Sequence, residues 1–236
     1  MPDKTPSSVS GFYDGIYHYY EAANSFLTLG LDAGWRTKAA GYALASKPAA
    51  ILDVCCGTGD LTLELLRLSK GGSAVTGADF NDSMLAKARA RSGELRFLRA
   101  EASDLPFSDG AFNAVTISFA SRNLSPDGKN LAKFFREFHR VLAPGGVFVH
   151  LETSRPRNRG IRCLFRVYVD FMTGLINFLF PETRAAYAFL AGSIAAFPPP
   201  DEISKNIIEA GFREAEVRPL LFGAVAIHIA VKTPPL

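Results

Sequence analysis

Between residues 49 and 152 short apolar runs alternate with amphipathic ones, and that rhythm leaves few folds open. "AAILDV" (49–54) is a brief apolar run ending in a glycine turn, the pattern of a buried strand. "DLTLELLRLSK" (60–70) follows as a helix closed by Gly71-Gly72. The cycle repeats with a strand at 73–79, a helix at 82–92 capped by Asn81 or Asp82, and strands at 94–100 and 111–119. In "NLAKFFREFHRVLAPGG", Leu131, Phe134, Phe135, Phe138 and Leu142 recur at helical spacing. Pro144-Gly145-Gly146 ends that helix, and "VFVHLE" (147–152) is a fifth strand. After an Arg-rich interruption, "DEISKNIIEAGF" is a helix ended by Gly211. "EAEVRPL" and "GAVAIHIAVK" then lie close enough to pair antiparallel. The pattern predicts a doubly wound, seven-stranded, mainly parallel α/β sheet.

In such a sheet a ligand sits beyond the carboxyl ends of the strands, near the point where strand order reverses. There the sequence reads "ILDVCCGTGDL", with Asp53 four residues before the Gly57-Thr58-Gly59 turn. A dinucleotide would want a third glycine where Thr62 stands, and its pyrophosphate would be repelled by Asp53. A phosphate loop would need a lysine and a hydroxyl residue after the last glycine, and neither is present. S-adenosylmethionine has no phosphate. Its sulfonium and ammonium suit Asp53, and Gly57 and Gly59 allow close backbone approach. Its carboxylate suits the N-terminus of the helix that starts near Asp60. Asp79, at the end of the second strand, suits the ribose hydroxyls of either cofactor. The residues favour S-adenosylmethionine, with a dinucleotide as the alternative.

A formal net charge of +3 does not point to nucleic acid. Cys55, Cys56 and Cys163 have neither disulfide nor zinc spacing, which excludes a structural metal and points to a reducing compartment. "MPDKTPSSVSGFYDGIYHYY" carries no apolar signal core, and no apolar run approaches the roughly 20 residues of a membrane span. A soluble or peripheral protein is expected. Cys55-Cys56 reads as packing, His139 as helix surface, His228 as core or strand surface, and Glu152 as a residue bordering the pocket.

"LDVCCGTGDLT", "ADFNDSMLAKAR", "EASDLPFSDGAFNAVTISFASRNL" and "FFREFHRVLAPGG" follow the order and spacing of class I methyltransferases. More narrowly, the chain resembles the ubiquinone/menaquinone biosynthesis C-methyltransferase family. "FYDGIYHYYEAANSFLTLGLDAGWR", "ISFASRNL" and "YAFLAGSIAAFP…AGF…LLFGAVAIHIAVK" carry that resemblance. Ala120-Ser121 stands where the family usually has Gly-Ile or Gly-Leu before Arg-Asn, and Glu101 where it usually has Asp or Asn.

The resemblance implies a single Rossmann-like domain over residues 1–236. Residues 12–46 form a helical cap, 47–152 the cofactor core, 155–200 a helical lid over a hydrophobic substrate, and 201–236 the last helix and strand pair. It implies cofactor contacts from Thr58, Asp79, Phe80, Met84, Glu101, Ala102 and Ser118, beside Asp53, Gly57 and Gly59. The substrate implied is a lipid-tailed quinol, demethylmenaquinol before the benzoquinol precursor of ubiquinone. Another hydrophobic small molecule, or a cofactor-binding subunit without chemistry, are the rival readings.

Arg122 is the expected catalytic group, its guanidinium holding the quinolate oxygen. A merely structural Arg122 would instead pair with a backbone carbonyl, Asp104 or Glu152. On a helix over 155–179, Ile161, Leu164, Phe165, Tyr168, Met172, Leu175 and Leu179 fall on one side. Arg155, Arg159, Arg162, Arg166 and Asp170 fall opposite. Such sidedness suits a cap on the sheet, a membrane surface, or both. The expected setting is cytoplasmic, with room for peripheral contact at the inner membrane face and for a homodimer.

Overall fold

A computed structural model describes residues 28–179, 192–194 and 196–234. The expected cap over 12–27 and the middle of the lid lie outside the described residues. The elements are α1 (Leu31–Leu44), β1 (Ala50–Val54), α2 (Asp60–Ser69), β2 (Ala74–Asp79), α3 (Asp82–Arg91), β3 (Arg96–Arg99) and β4 (Phe112–Ser118). There follow the single turn α4 (Ser121–Leu124), α5 (Leu131–Val141), β5 (Leu142–Thr153), α6 (Arg159–Leu179), α7 (Pro200–Glu209), β6 (Glu216–Leu220) and β7 (Val225–Val231).

The sheet has seven strands in the order β3-β2-β1-β4-β5-β7-β6. The β1–β5 strands pair in parallel, and β7 runs antiparallel to both its neighbours. Strand order reverses between β1 and β4, so a crevice opens above their carboxyl ends. Helices cover both faces. On one, Phe135 and Phe138 of α5 and Ile203 and Ile207 of α7 bury against Phe148 and Phe212. On the other, Trp35, Ala39 and Ala43 of α1 and Leu61 and Leu65 of α2 bury against Ile51, Val149 and Ile227. Burying each large apolar side chain contributes about 1.5–3 kcal/mol. Apolar residues thus run almost continuously along the central strands, as a sheet covered on both faces requires.

Asn81 is the cap of α3, its side chain accepting from the Met84 N–H at 3.1 Å. Leu142 departs from the expected pattern. It opens β5 opposite Phe112 rather than extending α5, and the register then shifts, so that Ala114 pairs with Val147. Lys232 Nζ explains where α5 stops. It donates to the carbonyls of His139 and Leu142 at 2.8 and 2.7 Å, satisfying groups a longer helix would have bonded itself. Phe134 is half-buried, packing against the core cluster while lining the crevice.

The apolar side expected for α6 is divided. Val169, Met172 and Ile176 are buried, whereas Leu164, Val167, Phe171 and Phe178 are 60–81% exposed. Arg159 and Arg166 are exposed beside that second apolar stripe. A helix apolar on two sides cannot reveal from sequence which one packs.

Candidate active site

The crevice holds a cavity of about 840 Å³, within the range that encloses small ligands. Its floor is local chain. After β1, Cys55 turns into the left-handed region (φ 55°), as does Gly57 (φ 55°). This aims the Gly57 N–H at Asp79 Oδ2, 2.8 Å away. The other Asp79 oxygen accepts from the Asn81 N–H at 2.9 Å. A Cβ at Gly57 would meet nothing within 4 Å, so the space above the turn is open to a ligand. After β4, Phe119 also turns left-handed (φ 53°), its N–H held by Leu151 O at 2.8 Å. A non-glycine residue in that conformation is costly, and its place at a strand end re-aims the chain into the crevice.

Gly57, Thr58, Asp79, Phe80, Met84, Glu101, Ala102, Ser118 and Arg122 all line this cavity. Asp53 and Gly59 do not. Asp53 is 1% exposed, with its two oxygens accepting from Thr62 and Thr116 hydroxyls at 2.7 and 2.8 Å. Burial pushes its carboxyl up to about 6 against those two hydrogen bonds. The expectation that Asp53 reaches the ligand is therefore corrected: strand alternation turns it inward, where it ties β1 to α2 and β4. Gly59 is the N-cap of α2, and a Cβ there would press on Phe97 and Ala88 at 3.2 and 3.3 Å. Its absence of a side chain serves helix packing instead of ligand approach.

Burial also pushes the Asp79 carboxyl up, opposed by the N–H groups of Asn81 and Gly57. The Cys55 and Cys56 thiols are pushed well above their ordinary value, by burial first and by nearby carboxylates second. Both stay protonated at neutral pH and are poor nucleophiles. At the mouth, Arg36 pairs with Asp32 at 2.5 Å, and Arg91 pairs with Asp60 at 2.6 Å. Burial opposes the Asp32 charge, but hydrogen bonds from Thr28 and Arg36 outweigh it and hold the carboxyl below its usual range.

On the β4–β5 side, Arg122 lines the cavity at 4% exposure. Its Nη1 donates to Glu152 Oε1 at 2.6 Å, the partner named for a structural arginine. Thr153 N and Oγ1 donate to the same oxygen at 2.7 and 2.9 Å. Lys133, Phe134 and Ile194 complete this wall. Sequence reasoning passed over Thr153, Lys133 and Phe134, and over Trp35 and Arg36 from α1. Arg36 stacks 5.6 Å from the Phe119 ring. The single tryptophan beside an arginine in the expected cap was the available signal.

The model of the ubiE/COQ5 methyltransferase family matches residues 1–232. The chain belongs to this family. Similar proteins include a demethylmenaquinone methyltransferase of Thermus thermophilus, 43% identical over 89% of this chain and 94% of that one. Another is that of Geobacillus kaustophilus, 36% identical over 98% of this chain and 100% of its own. Among solved structures, an S-adenosylmethionine-dependent methyltransferase of Thermotoga maritima superposes with a TM-score of 0.61. It is 16% identical and covers 94% of this chain and 99% of its own. One from Methanosarcina mazei gives 0.55 at 23% identity, over 79% and 93%. These structures share the fold, the seven-stranded sheet of class I methyltransferases.

Proposed function

We propose that this family member transfers the methyl group of S-adenosylmethionine to a ring carbon of a polyprenyl quinol, demethylmenaquinol first. The carrying observation is that Asp79 and the buried Arg122 line one cavity. A hydroxyl-binding carboxylate and a fixed cation thus face a shared space.

The donor set fits S-adenosylmethionine. Asp79 and Glu101 offer acceptors for hydroxyl and amine groups. Phe80, Met84 and Ala102 offer apolar contact for a base. The mouth arginines are neutralised by Asp32 and Asp60, which leaves little to hold a pyrophosphate. When bound, the cofactor supplies an electrophilic methyl group. Everything else falls to the chain: aligning the ring, excluding water and stabilising its oxygen. Arg122 does the last of these. The guanidinium stays charged at any working pH, so it stabilises negative charge and moves no proton.

A methyltransferase assay with labelled donor tests the reading. Demethylmenaquinol should give a product one methylene heavier, ahead of the benzoquinol precursor. No product from either quinol sinks it.

The exposed Leu164, Val167, Phe171 and Phe178 beside Arg159 and Arg166 support delivery of a lipid-tailed substrate from an anionic bilayer surface. Among the described residues no helix is long and apolar enough to cross a membrane. Sedimentation with anionic vesicles should carry the protein down at low salt and less at high salt. Protein wholly in the supernatant at low salt removes the membrane contact.

A further inference from the structure

Behind the Arg122–Glu152 pair a line of buried polar groups crosses the sheet. Thr153 lines the cavity and donates to Glu152 Oε1 at 2.9 Å. Ser121 Oγ lies 3.1 Å from Glu152 Oε2 and 2.8 Å from His150 Nε2. His150 Nδ1 meets His228 Nδ1 at 3.2 Å, and His228 Nε2 reaches Pro200 O at 3.1 Å. Ser121, His150, Glu152 and His228 are each at most 2% exposed.

The hydrogens in this line can be counted. Pro200 O only accepts, so His228 Nε2 carries a hydrogen. A neutral His228 then offers a lone pair at Nδ1, so His150 donates from Nδ1 and offers a lone pair at Nε2. Ser121 has one hydrogen and two acceptors beside it. With Glu152 ionised, the four contacts from Pro200 to Glu152 have three hydrogens between them. Ser121 donates to the ionised Glu152 Oε2, so the gap falls on the contact between Ser121 and His150 Nε2. Burial keeps both imidazoles neutral, holding His228 down to about 4 and His150 well below its ordinary value. The charged groups facing the line are Arg122 from α4, Glu152 on β5, and Asp201 on α7, itself paired with Arg157. From α5 the Phe135 ring packs edge-on to His150 at 5.6 Å.

We propose that Glu152 accepts the proton given up by the substrate hydroxyl, through Thr153. Ser121, His150 and His228 are positioning residues: the lone pair of His150 Nε2 waits to take the Ser121 hydrogen when the carboxyl is protonated. The inference rests on the quinol reading above. The ring carbon forms its bond to the methyl group, and the electron pair of the broken sulfur–carbon bond stays on sulfur. The hydroxyl O–H bond breaks, its electrons forming a carbonyl and its proton passing by way of the Thr153 hydroxyl to Glu152. Rotation about the Cγ–Cδ bond turns the new carboxyl O–H toward Ser121. The C–H bond of the methylated carbon then breaks, its electrons restoring the aromatic ring and its proton passing through water to the ring oxygen, so each turnover leaves one proton on Glu152. The carboxyl then donates to Ser121, the Ser121 hydrogen turns to His150 Nε2, and every contact in the line has its hydrogen. A weak base suffices, because Arg122 stabilises the negative charge that the departing proton leaves on the oxygen and the new bond draws that charge into the ring. The positive charge lost at sulfur reappears on the Arg122–Glu152 pair, so the buried site keeps its net charge.

Two measurements test this. Glu152→Gln keeps an acceptor for Arg122 but takes no proton. Its single-turnover methyl transfer to demethylmenaquinol should fall about 10²-fold at pH 7. The deficit should narrow to about tenfold or less by pH 10, where the hydroxyl ionises unaided. Ser121→Ala should show a smaller loss with the same pH trend. A deficit equal at every pH, in variants that stay folded and bind the cofactor normally, overturns the proposal. Independently, ¹⁵N imidazole spectra of the cofactor-free protein at pH 7 should show His228 protonated at Nε2 and His150 at Nδ1. A His150 protonated at Nε2 would have no lone pair waiting for the Ser121 hydrogen and would overturn it too. If wild-type protein methylates no quinol at any pH, the functional reading fails and the proposal falls with it, whatever the spectra show.

Discussion

The two walls of the cavity are built by different means. The β1–β2–β3 wall is mostly backbone. The Gly57 turn and the Asn81 cap offer N–H groups, and Asp79 binds both from 22 and 2 residues away. The β4–β5 wall is a buried charge pair between residues 30 apart, Arg122 and Glu152, with a polar line behind it. A backbone site tolerates loss of one partner, because the remaining groups are neutral. A buried pair does not, because the survivor keeps its charge. Changes in the second wall should therefore cost folding and turnover together, and changes in the first should cost affinity.

The largest effect is expected from Glu152→Ala. It strands a guanidinium of 5% side-chain exposure, and losing one partner of a buried pair costs about 3–5 kcal/mol. Chemical denaturation measures it, and a loss under about 1 kcal/mol would erase the contrast between the walls. Arg122→Ala should lower single-turnover transfer by about 10²–10³, with cofactor affinity nearly unchanged. A folded variant with normal transfer would return Arg122 to a structural role.

Asp79→Ala should weaken S-adenosylmethionine binding by about 1.5–3 kcal/mol, the scale of hydrogen bonds to a charged group, while the melting temperature moves little. Calorimetry decides this, and unchanged affinity would take Asp79 out of the site.

The smallest effect belongs to Asp53→Asn. The folded carboxyl sits near 6, above its ordinary 3.8. The folded state therefore binds the proton more tightly than the unfolded chain, and wild-type stability falls as pH rises from about 4 through 6. The variant lacks that decline, so its relative stability should grow by roughly 1–2 kcal/mol across this window and then level off. A gap independent of pH between 4 and 7 would show that Asp53 is ionised throughout.

Legibility followed the same division. The β1 turn, Asp79 and the Asn81 cap were readable because their partners are chain neighbours or lie one strand away. Arg122 was singled out through resemblance. Its pairing with Glu152 was one option among several, since no spacing announces a contact across β4 and β5. His228 read as core or strand surface and His150 drew no reading of its own, and only the antiparallel register of β7 on β5 sets them opposite each other. Asp53 was misread because a strand end shows the type of a side chain and not which way it faces. Leu142 was misread because Lys232, 90 residues on, supplies the bonds that stop α5.

Periodicity and turn chemistry are properties of neighbouring residues. The order of strands and helices along the chain and the glycine turn were therefore determined by the sequence by itself. Burial is a property of the assembled molecule. Which face of α6 packs, which acid lines the cavity and which charges share a dry interior were decided only when the strands took their places. Desolvation acts on a group according to everything around it, and most of what surrounds Glu152, His150 and His228 comes from distant parts of the chain.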